Sequence, residues 1–113
     1  MTRISKISKY PPAAVEDALN RLGRNIRIAR LRRKLSKEEL AERIGISRYV
    51  VADIEKGKPT TAITAYLGAL WALGLLREMR EVADPDRDEE GKILEQARSP
   101  KTAPKRRALN DDF

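Results

Sequence analysis

The chain has 113 residues and a formal net charge of +7; 41% of its residues are hydrophobic and 36% are charged. This length and composition predict one soluble folded domain with a highly charged surface. Because the chain contains no cysteine and no histidine, disulfides, thiol nucleophiles, zinc-finger sites and the commonest near-neutral proton shuttle are excluded, and we expect no enzyme activity, metal site or cofactor.

The positive charge is concentrated in the first three quarters of the chain. Residues 1–83 contain 17 Lys and Arg against 9 Asp and Glu, whereas residues 84–113 contain 7 against 8. Seven basic residues and no acidic one lie between Arg21 and Lys34. Such a cluster favours a polyanionic partner such as DNA, with a solvated basic helix face as the alternative. No apolar run reaches the roughly eighteen residues of a membrane span and the start lacks a signal-peptide core, so we expect a cytoplasmic protein.

The first predicted element is a basic N-terminal arm, residues 1–12, which ends in two prolines. Proline is favoured at the start of a helix, so a long helix is predicted from about Ala13 to about Lys34. Its apolar residues recur every three or four positions and should form one buried face. These residues are Val15, Leu19, Leu22, Ile26 and Ala29.

Two short helices are predicted next. Ser36 and Glu39 have the spacing of a capping box, which starts a helix, and Gly45 is suited to end it in a left-handed conformation. Ser47 is the next candidate N-cap, and Gly57 should stop the helix that follows. The sequence therefore predicts two short helices on either side of a glycine turn.

A fourth helix is predicted to be capped by Thr60 or Thr61, with a fifth after Gly74. The apolar stripe of the fourth helix should contain Ile63, Leu67, Leu70 and Trp71, and the fifth segment should contain Leu75, Leu76, Met79 and Val82. After Asp84 the apolar periodicity fades, leaving a marginal helix at 88–98 and expected disorder from Ser99. We therefore expect an all-α fold with five helices within residues 13–83, a flexible N-terminal arm and a charged, largely disordered tail over residues 84–113.

The segment from Leu35 to Gly57 has the residue pattern of a helix-turn-helix. Ala41 is small where two helices must cross, Gly45 supplies the turn, and of three apolar residues the first two fill the angle between the helices and the third anchors the second helix to the core. Those residues are Ile46, Val51 and Ile54. This pattern resembles the Xre family, the phage repressor and Cro-like helix-turn-helix proteins, over roughly residues 22–76. The resemblance implies a sequence-specific DNA-binding repressor whose recognition helix lies at 47–56.

By the same resemblance, Ser47, Arg48, Tyr49 and Asp53 are expected to face the DNA bases. Arg48 is suited to guanine, whereas Asp53 can bind cytosine, orient Arg48 or simply be solvated. The expected phosphate contacts, each with a free surface role as its alternative, are Lys37, Arg43, Lys56, Lys58 and Thr60. Many family members have glutamine where this chain has Lys37, which favours phosphate attraction over a directional bond there. Glu55 is expected to pair with a basic residue of the first long helix.

Proteins of this family read DNA as dimers, so we expect a homodimer on a palindromic operator. The apolar surplus after residue 65 suggests a dimer surface with Trp71, Leu75, Leu76 and Met79, although Trp71 is equally suited to the core. The segment from Leu73 to Leu75 and the charged tail also resemble HipB-type antitoxins. That resemblance implies an autoregulating antitoxin that binds a HipA-type serine/threonine kinase toxin. A stand-alone phage-type or metabolic repressor and a helical protein-interaction module are the alternatives.

Overall fold

The computed structural model describes residues 4–98, and within this range the chain forms six α-helices, one 3-10 helix and no strand. In chain order they are α1 (Lys6–Lys9), α2 (Ala13–Arg32), α3 (Lys37–Ile44), α4 (Arg48–Lys56), α5 (Ile63–Ala72), the 3-10 helix η1 (Leu76–Glu81) and α6 (Glu89–Arg98). The predicted all-α class is confirmed. The chain divides into two compact units, Met1–Arg77 and Glu78–Phe113, which are described separately. The disorder predicted from Ser99 onward concerns residues outside the described range.

The long helix α2 ends two residues earlier than predicted. Lys34 adopts a left-handed conformation with φ of 55°, and the Leu35 N–H donates to the Arg30 carbonyl at 3.2 Å. This 6→1 bond closes the helix without a glycine. The predicted continuous apolar face is wrong for the first turn of α2, where Val15 is 38% exposed. The buried residues of α2 begin at Gly23, in the second half of the helix.

The helices α3 and α4 begin and end where the sequence predicts. The Ser36 hydroxyl accepts from the Glu39 N–H at 3.0 Å, and the Glu39 carboxylate accepts from the Ser36 N–H at 2.7 Å. This confirms the capping box. Gly45 and Gly57 end α3 and α4 in the left-handed region, with φ of 88° and 71°. Only glycine adopts that conformation without steric cost, so the turn between the two helices has a fixed geometry.

The core of the first unit lies where α2, α3 and α5 surround α4. Ile26, Leu40, Val51 and Ile54 are its largest fully buried side chains. They come from α2, α3 and α4, and α5 contributes further buried residues. Burial of each such aliphatic side chain contributes about 1.5–3 kcal/mol. The core therefore holds one face of α4 while its other face remains at the surface.

Two predictions for α5 are wrong. The helix begins after Ala62 without a side-chain cap, so Thr60 and Thr61 lie in the preceding turn. Ile63 and Trp71 are 66% and 63% exposed and do not belong to the core. The buried face is instead formed by Tyr66, Ala69 and Leu70, followed by Leu73 after the helix. The predicted fifth helix is present as the short 3-10 helix η1, which spans the boundary between the two units.

Beyond Arg77, the second unit contains the marginal helix that the sequence predicts, as α6. The Asp88 carboxylate accepts from the Gly91 N–H at 3.0 Å in its first turn. Ile93 and Leu94 are 64% and 56% exposed. In the described part of this unit no residue is buried, so α6 presents its apolar side chains to the surface. Near the other end of the chain, the expected basic arm contains α1, a one-turn helix that the sequence did not predict.

Candidate nucleic-acid interface

The orientation of α4 is fixed by the burial of one of its faces. Val51 and Ile54 are both 0% exposed, and α4 packs on α2, α3 and α5. The opposite face begins at Ser47 and includes Arg48 and Tyr49, all of which are exposed. A short helix held on one side and free at its N-terminal end has the geometry of a DNA-recognition helix.

Ser47 is the N-cap of α4. Its side-chain oxygen accepts from the Val50 N–H at 3.3 Å, which satisfies one of the free donors at the helix start. The hydroxyl proton is still available to an outside acceptor. Ser47 therefore supports the helix and keeps one donor at the exposed end of α4.

Arg48 is held by two neighbours, one of which, Glu38, was not predicted from the sequence. Its Nη1 donates to Glu38 Oε2 of α3 at 2.8 Å, and its Nη2 donates to the Tyr49 hydroxyl at 3.1 Å. The guanidinium carbon also lies 5.1 Å from the centre of the Tyr49 ring, within cation–π distance. The sequence offered one signal for this contact, namely that Glu38 lies just after Ser36, the N-cap of α3, and α3 packs on α4.

The charges of this cluster are mutually stabilising. The hydrogen bond from Arg48 lowers the pKa of the Glu38 carboxyl, with a smaller contribution from its own backbone N–H. The hydrogen bond to the Tyr49 hydroxyl raises the pKa of Arg48, followed by the bond to Glu38. Arg48 and Glu38 are thus an ion pair at neutral pH, with side chains 53% and 60% exposed.

Asp53 lies one turn further along α4 and is associated with a different cation. Its carboxylate is 3.7 Å from the Lys58 ammonium. The alternative in which Asp53 orients Arg48 does not agree with the structure, because Arg48 donates to Glu38 and Tyr49 instead. An exposed pair at this distance adds little stability, so Lys58 remains available to a phosphate.

The five residues predicted to contact phosphates are all exposed. They lie at the start and end of α3, at the end of α4 and in the turn after it: Lys37, Arg43, Lys56, Lys58 and Thr60. The structure thus leaves each of them accessible, and four carry positive charge.

An almost buried ion pair connects α2 to α4. Arg30 Nε and Nη2 donate to the two carboxylate oxygens of Glu55 at 2.7 and 3.0 Å, and Arg30 Nη1 donates to the Leu35 carbonyl at 2.9 Å. The side chains are only 6% and 5% exposed, and the hydrogen bond to Glu55 raises the pKa of Arg30. The prediction that Glu55 pairs with a basic residue of the first long helix is confirmed.

Tyr66 is a second functional residue that was not predicted from the sequence. It is 3% exposed, and its hydroxyl donates to the Lys58 carbonyl at 2.9 Å. Burial raises the pKa of this hydroxyl, with a smaller effect from Asp53. Tyr66 therefore fixes the turn after α4 that carries the candidate phosphate contacts. In the sequence Tyr66 gave only a weak signal for this role, because several neighbouring residues of α5 are also large and apolar and are equally suited to the core.

The residues predicted for dimerisation differ in exposure. Trp71 is 63% exposed, so the alternative of an ordinary core tryptophan is excluded for the single chain. Leu75 and Leu76 are partly exposed, and Met79, which belongs to the second unit, is also partly exposed. An exposed tryptophan is a common feature of interfaces, but the dimer surface stays a prediction.

Comparison with known protein families matches part of the chain. A family model described as helix-turn-helix matches residues 26–67, which extend from the second half of α2 to the middle of α5. No curated protein and no solved structure matches the chain. The matched domain is a DNA-binding one rather than a catalytic one, and no helix within residues 4–98 is long and apolar enough to cross a membrane. The chain therefore contains a helix-turn-helix domain over residues 26–67, and this match supports a DNA-binding transcription regulator of the Xre type.

Proposed function

We propose that the protein is a sequence-specific transcriptional repressor that inserts the start of α4 into the DNA major groove. The observation that carries this proposal is the asymmetry of α4, which buries Val51 and Ile54 completely and exposes Ser47, Arg48 and Tyr49. An arginine at the start of such a helix can donate two parallel hydrogen bonds to guanine O6 and N7. Arg48 is thus the principal base-reading residue, with Ser47, Tyr49 and Asp53 beside it.

Phosphate contacts are assigned to the exposed residues that flank α4. They are Lys37, Arg43, Lys56, Lys58 and Thr60. Four of them are positively charged, and they attract the DNA backbone without reading its sequence. Neutralisation of about eight phosphates by a dimer would give a log–log dependence of affinity on salt with a slope of about −7.

Base reading and phosphate binding are separated by two variants of the full chain. The probes are a duplex enriched by the protein from a randomised library and a scrambled duplex of the same composition. Arg48→Ala is expected to weaken binding to the enriched duplex by roughly 5- to 150-fold. Its effect on the affinity for the scrambled duplex should be small. Lys58→Ala should weaken both about equally. If Arg48→Ala lowered the affinity for both duplexes equally, Arg48 would be a phosphate contact.

We further propose that the protein acts as a homodimer. A single recognition helix reads few base pairs, and two copies related by a twofold axis read two half-sites about one helical turn apart. The candidate surface in the first unit is the exposed Trp71 with Leu75 and Leu76, and Met79 is a separate candidate in the second unit. Trp71→Ser should lower the mass measured by sedimentation equilibrium from that of a dimer, and an unchanged mass would remove Trp71 from the interface.

The repressor is proposed to be an autoregulating antitoxin of the HipB type, with a HipA-type serine/threonine kinase as its partner. The exposed Ile93 and Leu94 of α6 support a protein partner for residues 84–113, because this helix buries nothing within its own described unit. Capture of the neighbouring gene product by the full chain, lost in an Ile93→Ser, Leu94→Ser variant that still binds DNA, would support this role. Failure of the wild-type chain to capture it would leave a stand-alone phage-type or metabolic repressor.

A further inference from the structure

An acidic side chain lies in the middle of the proposed DNA-reading surface. Glu38 is in the first turn of α3, and its carboxylate reaches across to Arg48 at the start of α4. Between the two helix starts is a shallow groove of about 490 Å³, to which Ser36, Lys37, Tyr49 and Ala52 also contribute. A negative charge here opposes the approach of phosphates. Its presence on a basic DNA-binding face therefore calls for a physical explanation.

The geometry of the cluster restricts what Arg48 can do. A guanidinium has five N–H donors in a planar arrangement, and Glu38 and Tyr49 each accept from a different terminal nitrogen of Arg48. The plane is thus held at two points that belong to different helices. Three donors remain, which is sufficient for a bidentate contact with one base. An arginine held in this way loses less conformational entropy on binding than a free one.

The ion pair also changes how Arg48 responds to charge. A free arginine near DNA is attracted to any phosphate, and each such contact adds sequence-independent affinity. With Glu38 in contact, the pair is close to neutral as seen from the DNA backbone. Binding to random DNA is weakened, whereas a correctly placed base edge can still accept from the remaining donors.

We propose that Glu38 is a specificity-determining residue that positions Arg48 for a base edge and keeps it from pairing with phosphates. This inference rests on the proposed role of Arg48 in base reading. Glu38 does not itself bind the base, so it acts as a positioning residue. Its location in the first turn of α3 also favours that helix through the helix dipole, and the test must distinguish this purely structural effect.

The test compares Glu38→Gln with Glu42→Gln in the full chain, using the enriched and scrambled duplexes described above. Glu42 is an exposed residue of the same helix, one turn later, and has no ion pair among the described residues. Both variants remove one negative charge from α3, but only the first releases Arg48. Thermal unfolding of both variants identifies any loss of helix stability, and affinities are compared at a temperature at which every variant is folded.

Glu38→Gln is expected to bind the scrambled duplex more tightly than Glu42→Gln does. Its log–log salt dependence should become steeper by about 0.9 per protomer, the effect of one additional phosphate contact. The ratio of enriched to scrambled affinity should fall by about tenfold, within the roughly 5- to 150-fold that one bidentate pair provides. In an Arg48→Ala background, Glu38→Gln should behave like Glu42→Gln, because its effect depends on Arg48.

The outcomes separate this inference from the proposed function. If Arg48→Ala reduces discrimination as expected but Glu38→Gln matches Glu42→Gln in both salt slope and affinity ratio, Glu38 has only a structural role and the inference is wrong. If Arg48→Ala leaves discrimination unchanged, the proposed base-reading role itself fails. Persistence of the Glu38→Gln effect in the Arg48→Ala background would also overturn the inference, because Glu38 would then act independently of Arg48.

Discussion

Substitution of Gly23 by alanine tests a close contact between α2 and α4. A Cβ atom at this position would lie 2.5 Å from the Ile54 carbonyl oxygen and 2.7 Å from that of Glu55. Both atoms belong to backbone, so neither can rotate away. Because real Cβ contacts are essentially never shorter than 3.0 Å, the two helices must separate by about 0.5 Å or more near the contact.

The expected cost follows from two opposing effects. Overpacking of a tightly packed contact costs about 1–3 kcal/mol, and the rigid carbonyl groups favour the upper half of that range. Alanine regains about 1 kcal/mol over glycine within a helix. The net result for Gly23→Ala is a loss of about 1–2 kcal/mol in the free energy of unfolding. For a domain of this size that lowers Tm by roughly 4–16 °C.

Gly68 is the matched control, because it also lies within a helix of the same unit. Its Cβ would meet a single atom, the Ile44 Cγ2 methyl carbon, at 2.9 Å, so a shift of about 0.1 Å relieves the contact even though a β-branched side chain in a helix cannot rotate freely. Gly68→Ala should therefore destabilise the protein clearly less than Gly23→Ala, because the gain in helix propensity of about 1 kcal/mol opposes a smaller steric cost. Urea denaturation of both variants measures the difference. A Gly23→Ala protein at least as stable as the Gly68→Ala protein would refute the close approach of α2 and α4.

Three other changes probe the polar contacts of the same unit. Glu55→Ala leaves the buried Arg30 unpaired and should lower the free energy of unfolding by about 3–5 kcal/mol in urea denaturation; a loss below about 1 kcal/mol would show that the pair is not buried in solution. Tyr66→Phe leaves the Lys58 carbonyl without its donor and should lower the free energy of unfolding by about 1–2 kcal/mol. A Tm equal to that of the wild type would contradict this expectation. The Glu39 carboxyl has a lowered pKa, chiefly because the Ser36 N–H donates to it. Its contribution to stability should be complete above its ordinary value of 4.5 and decline as the pH falls through the lowered pKa, and Glu39→Gln should flatten that decline in acid unfolding.

The parts of the fold that depend on local chemistry were predictable from the sequence. The cap at Ser36 and the left-handed turns at Gly45 and Gly57 were identified because each depends on one or two residues with few alternative roles. The pairing of Glu55 was also foreseen, although its partner, Arg30, was one of several basic residues on α2. These features fix the relative placement of α3 and α4.

The parts that depend on tertiary packing were not predictable. Nine of the ten residues of α5 belong to apolar or glycine types, so periodicity alone cannot choose between a face with Trp71 and one with Tyr66. The start of α5 was misplaced because Ala62 gives no capping signal. The contact of Glu38 with Arg48 depends on side-chain conformations across two helices, which neither sequence spacing nor family resemblance specifies.

The hydrogen bonds of Arg30 have a consequence for local unfolding. Its three donors reach the turn at Leu35 and the carboxylate of Glu55, so one side chain of α2 connects the beginning and the end of the helix-turn-helix. If α4 were to detach alone, Arg30 would lose its counter-ion and two of its three hydrogen bonds, and such charge-assisted bonds are about twice as strong as neutral ones. Opening should therefore involve the whole helix-turn-helix at once. The slowest amide hydrogens of α3 and α4 are then expected to exchange with a common opening free energy rather than in two separate groups.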